Sequence, residues 1–168
     1  MNIILIGFMG TGKSEVGKAL AKQLGLRYVD TDALIETEEK QPISDIFGQK
    51  GEAYFRELET NLLKKIQSSD NCVIAAGGGM GLRAENVKML KAMGKVVLLQ
   101  ASPAVIYARV KNEKHRPLLN VQDPAAEIGK ILEKRQTAYA QAADFTLDTS
   151  SLNIETAAQE VIKWLKSK

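Results

Sequence analysis

The sequence predicts an α/β fold, a three-layer sandwich in which a five-stranded parallel sheet lies between helices. Short apolar runs alternate with segments whose apolar residues recur at helical spacing, a pattern that is typical of consecutive βαβ units. The first apolar run passes directly into a glycine-rich loop, and a helical pattern starts where the loop ends. Polar residues follow the first, second, third and fifth strands. Because ligands of parallel sheets bind at the carboxyl ends of the strands, these residues predict a site there.

The elements of the first half are delimited by apolar runs and by helix-breaking residues. The predicted strands lie at 3–6, 28–29 and 72–76. Helical spacing predicts helices from about 14 to 24, 33 to 39 and 51 to 66, and a brief helical turn at 44–47. Pro42 separates the second helix from the turn, Gly48 closes the turn, and Gly51 opens the longer helix.

The second half continues the alternation. Its predicted strands lie at 96–99 and 145–147, and its helices run from about 84 to 93, 103 to 110 and 124 to 141, with a last helix around Val161 and Trp164. Gly94 ends the first of these helices, Pro103 suits the first position of the next, and Asp123-Pro124 is a helix start. Residues 111–116 are polar and charged and show no periodicity.

Size and composition exclude several classes of protein. The 168 residues favour one domain, and a net charge of +3 from 23 basic and 20 acidic residues is too balanced to indicate nucleic-acid binding. Cys72 is the single cysteine, which excludes an internal disulfide and fits a reducing cytoplasm. The N-terminal apolar run is too short for a signal peptide or a membrane span. We therefore expect a cytoplasmic monomer with neither a nucleic-acid nor a membrane partner.

The glycine-rich loop at 7–14, G-F-M-G-T-G-K-S, fits the phosphate-binding pattern G-x-x-x-x-G-K-[ST]. Its glycines let the backbone turn so that N–H groups and the positive end of the next helix face a phosphate. Lys13 is expected to reach the β- and γ-phosphates of a nucleoside triphosphate, and the Ser14 hydroxyl to bind Mg²⁺. The alternative, a glycine-rich turn that binds nothing, leaves the order of strand, loop, Lys-Ser pair and helix unexplained.

Two carboxylates follow the second strand. Asp30 and Asp32 are two residues apart, so both side chains can point to the same side. Phosphoryl transfer needs a carboxylate near Mg²⁺ and another at the acceptor hydroxyl. Asp32 also suits the N-cap of the helix that is predicted to begin at Ala33, and the two roles are compatible.

Arg56 and the three glycines at 77–79 each allow two interpretations. Arg56 lies one helical turn from Glu52 and from Glu59, which is the spacing of a surface ion-pair ladder. A planar guanidinium also suits a carboxylate ligand. The glycines either form a tight strand-to-helix connection or present N–H groups to substrate oxygens or the γ-phosphate.

Together these features resemble the shikimate kinase family. The resemblance covers essentially the whole chain from Gly7 onward. It rests on Lys13-Ser14, Asp30-Thr31-Asp32, Phe55-Arg56-Glu57-Leu58-Glu59, Gly77-Gly78-Gly79, Arg116-Pro117-Leu118-Leu119 and Arg135, in that order. The resemblance implies a P-loop fold like that of nucleoside-monophosphate (NMP) kinases. It also implies Mg²⁺-dependent transfer of the γ-phosphate of ATP to the 3-hydroxyl of shikimate, a step in aromatic amino-acid biosynthesis.

The resemblance implies roles for residues on the nucleotide side. Arg116 would act from a lid at about 112–120, which brings positive charge over the transferring phosphoryl group and excludes water. Asp30 would lie near the water shell of the metal, Arg109 would stack on adenine, and the loop at 148–151 would border adenine. The residues expected at the nucleotide are Gly10, Thr11, Gly12, Lys13, Ser14, Glu15, Arg109, Arg116 and Thr149.

On the acceptor side, the resemblance implies a helical substrate-binding segment at about 31–60. Asp32 would act on the substrate hydroxyls and share catalysis with Lys13 and Arg116. Arg56 and Arg135 would grip the carboxylate, with Glu59 steadying Arg56 or meeting the substrate. The residues expected at the substrate are Asp32, Arg56, Glu59, Gly77, Gly78, Gly79 and Arg135. The chain departs from the family in one respect, since Ala75 and Ala76 stand where a hydroxyl residue commonly precedes the glycines.

Other functions remain open from the residues alone. The nearest alternative is another kinase of the same fold, acting on gluconate or on a nucleotide. Paired arginines and acids favour a hydroxy-acid over a nucleotide but do not separate shikimate from gluconate. A nucleotide-dependent switch would signal by binding, and the Asn-Lys-x-Asp pattern of a guanine-reading GTPase does not occur. A shikimate-binding protein that has lost activity is a third alternative, and the presence of Lys13, Ser14, Asp32 and Arg116 is evidence against it.

Overall fold

The computed structural model describes residues 1–113 and 121–168. Its strands are β1 (Asn2–Ile6), β2 (Arg27–Asp30), β3 (Cys72–Ala75), β4 (Gly94–Gln100) and β5 (Phe145–Asp148). Its α-helices are α1 (Lys13–Leu24), α2 (Thr31–Glu39), α3 (Ile43–Ile66), α4 (Ala84–Met93), α5 (Pro103–Val110), α6 (Pro124–Ala142) and α7 (Ile154–Lys166). A short 3₁₀ helix at Met80–Leu82, which the sequence analysis did not predict, links the glycine run to α4.

The strands form one parallel sheet in the order β2-β3-β1-β4-β5. This arrangement confirms the predicted five-stranded parallel α/β fold. Because β3 lies between β1 and β2 and all three strands are parallel, the loops that follow them lie together at the carboxyl ends of the strands. The register pairs Asp30 at the end of β2 with Ala75 at the end of β3. The polar residues after the strands are therefore gathered as the sequence predicts.

The two faces of the sheet carry separate apolar cores. Along the fully buried β1, Ile3 and Leu5 pack in one cluster with residues of α1 and α7. Ile4 and Ile6 point the other way and join the cluster formed with α3, α4, α5 and α6. A central strand that is buried on both faces explains why its sequence is a continuous apolar run.

Two local predictions about helix ends are wrong. The helix α2 begins at Thr31 rather than near Ala33, with Asp30 as its N-cap. The brief turn does not close at Gly48, because helix continues from Ile43 to a kink at Gly51 (φ 80°, ψ 173°). Glycine is tolerated inside a helix at a modest cost, whereas the left-handed φ of Gly51 is unfavourable for any residue with a Cβ.

The connection from α5 to α6 carries the proposed lid. Most of the 112–120 segment, including Arg116, lies outside the described residues. The helix α6 then begins as predicted, with the Asp123 side chain accepting a hydrogen bond from the N–H of Ala126 at 3.1 Å. In the described parts of the chain, no helix has the length and apolar character needed to cross a membrane.

Candidate active site

The phosphate loop connects β1 to α1 and has the backbone that its glycines permit. Gly10 and Gly12 have φ values of 71° and 97°, in the left-handed region that favours glycine. A Cβ at Gly7 would collide with the carbonyl oxygen of Leu99 on β4. The Lys13 ammonium donates to the carbonyl oxygens of Gly7 and Phe8, both at 2.8 Å. The loop therefore places a cation and the N-terminus of α1 at the end of the central strand, which is a site for an anion.

Asp30 is a carboxylate that contacts the loop through Ser14. Its Oδ1 accepts hydrogen bonds from the N–H groups of Asp32 at 3.0 Å and Ala33 at 3.3 Å, and so caps α2. Its Oδ2 accepts from the hydroxyl groups of Tyr28 at 3.1 Å and Ser14 at 3.4 Å. The capping role that the sequence suggested for Asp32 thus belongs to Asp30, which leaves the Asp32 side chain to turn toward the glycine run.

A buried charged cluster forms where α3 passes the glycine run. Arg56 donates from Nη1 to Glu59 Oε2 at 2.8 Å and from Nη2 to Glu52 Oε1 at 3.0 Å. The Glu59 side chain is 0% exposed, whereas that of Glu52 is 64% exposed. The predicted ion pairs of Arg56 with Glu52 and Glu59 are therefore present. They are not confined to the surface, because the Glu59 carboxylate lies in the protein interior.

The glycines at 77–79 are required by side chains that approach them. A Cβ at Gly77 would lie 2.5 Å from Oδ1 of Asp32 and 2.8 Å from Oε1 of Glu59, and a Cβ at Gly79 would overlap the guanidinium of Arg56. This close packing brings together the residues predicted at the substrate from three separate stretches of sequence. It also gives the glycine run a packing role that the sequence analysis did not include.

Burial changes the acidity of the cluster. Burial raises the pKa of Glu59 to about 6, against the opposing effect of Arg56, while the neighbouring charge of Asp32 adds to the rise. For Arg56, burial lowers the pKa, but Glu59 and Glu52 outweigh it, so the pKa is above its ordinary value. Arg56 therefore stays cationic throughout, while Glu59 titrates in a mildly acidic range.

The raised pKa of Glu59 predicts a pH-dependent loss of stability. A folded state with a raised pKa holds the proton more tightly than the unfolded chain. The contribution of Glu59 to the stability of the folded state is therefore fully present below the ordinary pKa of 4.5 and is lost as the pH rises through about 6. We expect the free energy of unfolding to fall by about 2 kcal/mol more in the wild type than in Glu59→Gln between pH 4 and pH 7.5.

Chemical denaturation at the two pH values measures this difference. Glu57→Gln is the matched control, since Glu57 is 63% exposed and pairs with Arg83 at the surface. Its pH dependence should follow that of the wild type. Wild type and Glu59→Gln curves that run parallel across the range would show that Glu59 titrates as an ordinary surface carboxylate.

Arg135 reaches the same site from α6. Its guanidinium lies over the ring of Phe8 in the phosphate loop, 5.5 Å from the ring centre. One turn later, the buried Tyr139 donates to the carbonyl oxygen of Gly78 at 2.6 Å. Burial raises the pKa of Tyr139, and the charges of Arg135 and Arg56 oppose that rise. The two predicted carboxylate-binding arginines therefore both lie near the glycine run, since Arg56 approaches Gly79 and both charges act on the tyrosine that binds Gly78.

Arg109 joins the phosphate loop to the loop after β5. It donates to the carbonyl oxygen of Gly10 at 3.0 Å, to Thr149 Oγ1 at 3.1 Å and to the Thr149 carbonyl oxygen at 2.7 Å. The Thr149 hydroxyl donates to the carbonyl oxygen of Thr11 at 2.9 Å. Four of the residues predicted at the nucleotide thus form one hydrogen-bonded group. The Glu15 side chain stands apart and pairs with Lys18 at 2.7 Å on the exposed surface.

Four residues of the site were missed by the sequence analysis as functional candidates. Tyr28, Phe8 and Tyr139 contact predicted site residues, and Thr31 binds the glycine run by accepting from the Gly77 N–H at 2.8 Å. Thr31 carried a usable signal, since a hydroxyl residue between two aspartates at a strand end has access to neighbouring backbone groups. Phe8 and Tyr139 read as ordinary loop or apolar positions, because their partners are distant in the chain, and Tyr28 read only as part of a short strand.

The fold and the site define the class of protein. A parallel sheet in this strand order, with a phosphate loop between its central strand and a helix, is a P-loop kinase fold like that of NMP kinases. The model of the family described as shikimate kinase matches residues 9–166. The chain belongs to the shikimate kinase family.

Individual relatives agree with this assignment. A shikimate kinase from Thermodesulfovibrio yellowstonii is 47% identical over 96% of this chain and 93% of its own length. One from Caldanaerobacter subterraneus subsp. tengcongensis is 44% identical over 96% and 94% of the two chains. The structure of shikimate kinase from Acinetobacter baumannii in complex with shikimate matches with a TM-score of 0.94, at 36% identity over 99% of this chain and 93% of that one. The predicted fold class and family are confirmed.

Proposed function

We propose that the chain transfers the γ-phosphoryl group of ATP to the 3-hydroxyl of shikimate, with the phosphate loop and the charged cluster as the two halves of the active site. That it is an ATP-dependent shikimate kinase follows from its family; the atoms involved and the residue roles are our proposal. One observation carries it. A Cβ on Gly78 would lie 3.7 Å from the carbonyl oxygen of Gly7. An acceptor against the glycine run is therefore adjacent to phosphates in the loop.

On the nucleotide side, the N–H groups of the loop and the Lys13 ammonium bind the β- and γ-phosphates. Ser14 and Asp30 fit a magnesium site, since a hydroxyl that donates to a carboxylate keeps its lone pairs for a hard cation. When bound, Mg²⁺ supplies positive charge to the phosphates. Asp30 is already oriented toward Ser14 by the cap of α2. In the described ranges, 1–113 and 121–168, three or more His, Cys, Asp or Glu side chains do not come together as a metal-binding group. Much of the coordination would therefore come from phosphate and water.

On the acceptor side, Arg56 and Arg135 bind the shikimate carboxylate. The Arg56 side chain is 16% exposed and is held by a fully buried carboxylate. Its orientation is thus set before the substrate arrives, which reduces the entropy lost on binding. Asp32 lies beside Gly77 and accepts from the substrate hydroxyls, so that the reacting oxygen faces the loop.

Arg116 supplies charge to the transferring group from the lid at about 112–120. We expect Arg116→Ala to lower kcat by about 10²-fold or more, with little change in the KM for shikimate. The reason is that its charge matters most when negative charge spreads over the transferring phosphoryl group. Steady-state kinetics beside Lys111→Ala, an exposed cation at the start of the same connection, tests this. A rise in KM with an unchanged kcat would assign Arg116 to substrate binding instead.

The wider setting is also proposed. The balanced charge of +3 and the single cysteine support a cytoplasmic enzyme that works as a monomer with small-molecule ligands, without a nucleic-acid or membrane partner.

The reaction is tested by ADP release from ATP and Mg²⁺ with shikimate, gluconate or AMP as the acceptor. We expect release that depends on shikimate alone. Release with gluconate or AMP at a comparable rate would contradict the proposed acceptor site while leaving the phosphate loop assignment in place. ATP binding without acceptor-dependent release would instead support a regulatory role.

A further inference from the structure

The carboxylate that contacts Ser14 of the phosphate loop is that of Asp30, at the end of β2. One of the two strands beside β1 is β3, which ends at Ala75, and Ala76 follows it; neither residue brings a side-chain oxygen. In P-loop enzymes an acidic residue commonly holds the metal. Here the carboxylate beside Ser14 is that of Asp30, which lies one strand further out and pairs in register with Ala75.

Tyr28 orients this carboxylate. The Tyr28 hydroxyl donates to Oδ2 of Asp30 at 3.1 Å, and Ser14 approaches the same oxygen at 3.4 Å. The other oxygen of Asp30 is occupied by two N–H groups of α2. The carboxylate is thus held from both sides, and the oxygen toward Ser14 is the one that Tyr28 contacts.

The fold makes room for the Tyr28 ring. Gly17 on α1 lacks a Cβ where the ring passes, and a Cβ there would lie 2.8 Å from Cε2 of Tyr28. A tyrosine phenol is protonated at neutral pH and is therefore a hydrogen-bond donor.

We propose that Tyr28 is a positioning residue for the metal site, holding Oδ2 of Asp30 toward Ser14 where β3 supplies no polar side chain. The inference rests on the assignment of Ser14 and Asp30 to the metal in the proposed function. A purely structural role of Tyr28 would need only the ring against Gly17. The hydroxyl group therefore separates the two roles.

The test measures Mn²⁺ affinity in the presence of ADP by electron paramagnetic resonance, for wild type and Tyr28→Phe. We expect about tenfold weaker Mn²⁺ binding in Tyr28→Phe, because loss of a group that orients a metal-site residue typically has this effect. Affinity for ADP without metal should be unchanged. Tyr54→Phe is the matched control, since the Tyr54 hydroxyl donates to the Glu39 carboxylate at 3.1 Å away from the loop. Equal Mn²⁺ affinity in wild type and Tyr28→Phe would overturn the inference, as would an equal loss of metal-free ADP binding.

A double-mutant cycle shows whether Tyr28 acts through Asp30. Asp30→Asn keeps an oxygen that caps α2, and we expect it to weaken Mn²⁺ binding. Adding Tyr28→Phe to it should cause no further loss, whereas additive losses would contradict action through Asp30. If Asp30→Asn leaves Mn²⁺ affinity unchanged, the metal assignment fails and the inference fails with it. If Asp30→Asn weakens binding and Tyr28→Phe does not, only the inference fails.

Discussion

Lys13→Ala is expected to lower kcat by about 10³-fold or more without unfolding the protein. The Lys13 ammonium lies across the loop and donates to the carbonyl oxygens of Gly7 and Phe8. Bound phosphates would offer it a far stronger partner than these neutral carbonyl groups, and negative charge on the transferring group strengthens the interaction further. Alanine removes this charge from the transition state.

The measurement is ADP release at saturating ATP and shikimate, with circular dichroism to verify folding. Lys22→Ala is the control, because Lys22 is an exposed cation on the last turn of the same helix. It should retain wild-type turnover. A Lys13→Ala enzyme that keeps kcat within a few-fold of wild type would contradict the role assigned to the loop.

Arg56→Ala is expected to raise the KM for shikimate by about 30-fold or more, with a smaller effect on kcat. Truncating one partner of a buried, hydrogen-bonded charge pair costs about 2–5 kcal/mol, which sets this lower limit. Two losses combine here. The substrate carboxylate loses a planar donor, which raises KM, and the fully buried Glu59 loses the cation that compensates its charge, which lowers the stability of the fold.

Arg56→Lys separates these losses, because lysine retains the charge but lacks the fork that binds a carboxylate through two parallel hydrogen bonds. We expect its KM to lie between those of wild type and Arg56→Ala. Arg135→Ala should change KM in the same direction as Arg56→Ala. Lys64→Ala is the control, since Lys64 lies on the same helix and pairs with Glu85 at the surface. An unchanged shikimate affinity in folded Arg56→Ala would remove Arg56 from the substrate site.

Local patterns predicted most of the fold. The phosphate loop, the helices α4 and α5 and the start of α6 follow from signals within a few residues, such as Gly94, Pro103 and Asp123. Local signals did not predict where the first part of α3 ends, because both Gly48 and Gly51 are residues that commonly break helices. Only the backbone geometry shows that the chain kinks at Gly51.

The candidate site was predictable where its residues share a motif and unpredictable where the partner is distant. Asp32 and the glycines follow from their places at strand ends. The packing of Arg135 on Phe8 joins residues that are far apart in the chain, so no local pattern reports it. Tyr28 was read as part of a short strand, since its hydroxyl contact with Asp30 depends on how that strand passes beneath α1.

The proposed function depends most on the claim that Arg56 binds the substrate through its carboxylate. Calorimetric titration of wild type and Arg56→Ala with shikimate and with its methyl ester tests this claim most directly. We expect wild type to bind shikimate at least about 30-fold more tightly than the ester, and Arg56→Ala to lose most of this preference. An equal preference for the free acid in both proteins would contradict it, because the carboxylate would then be recognised elsewhere.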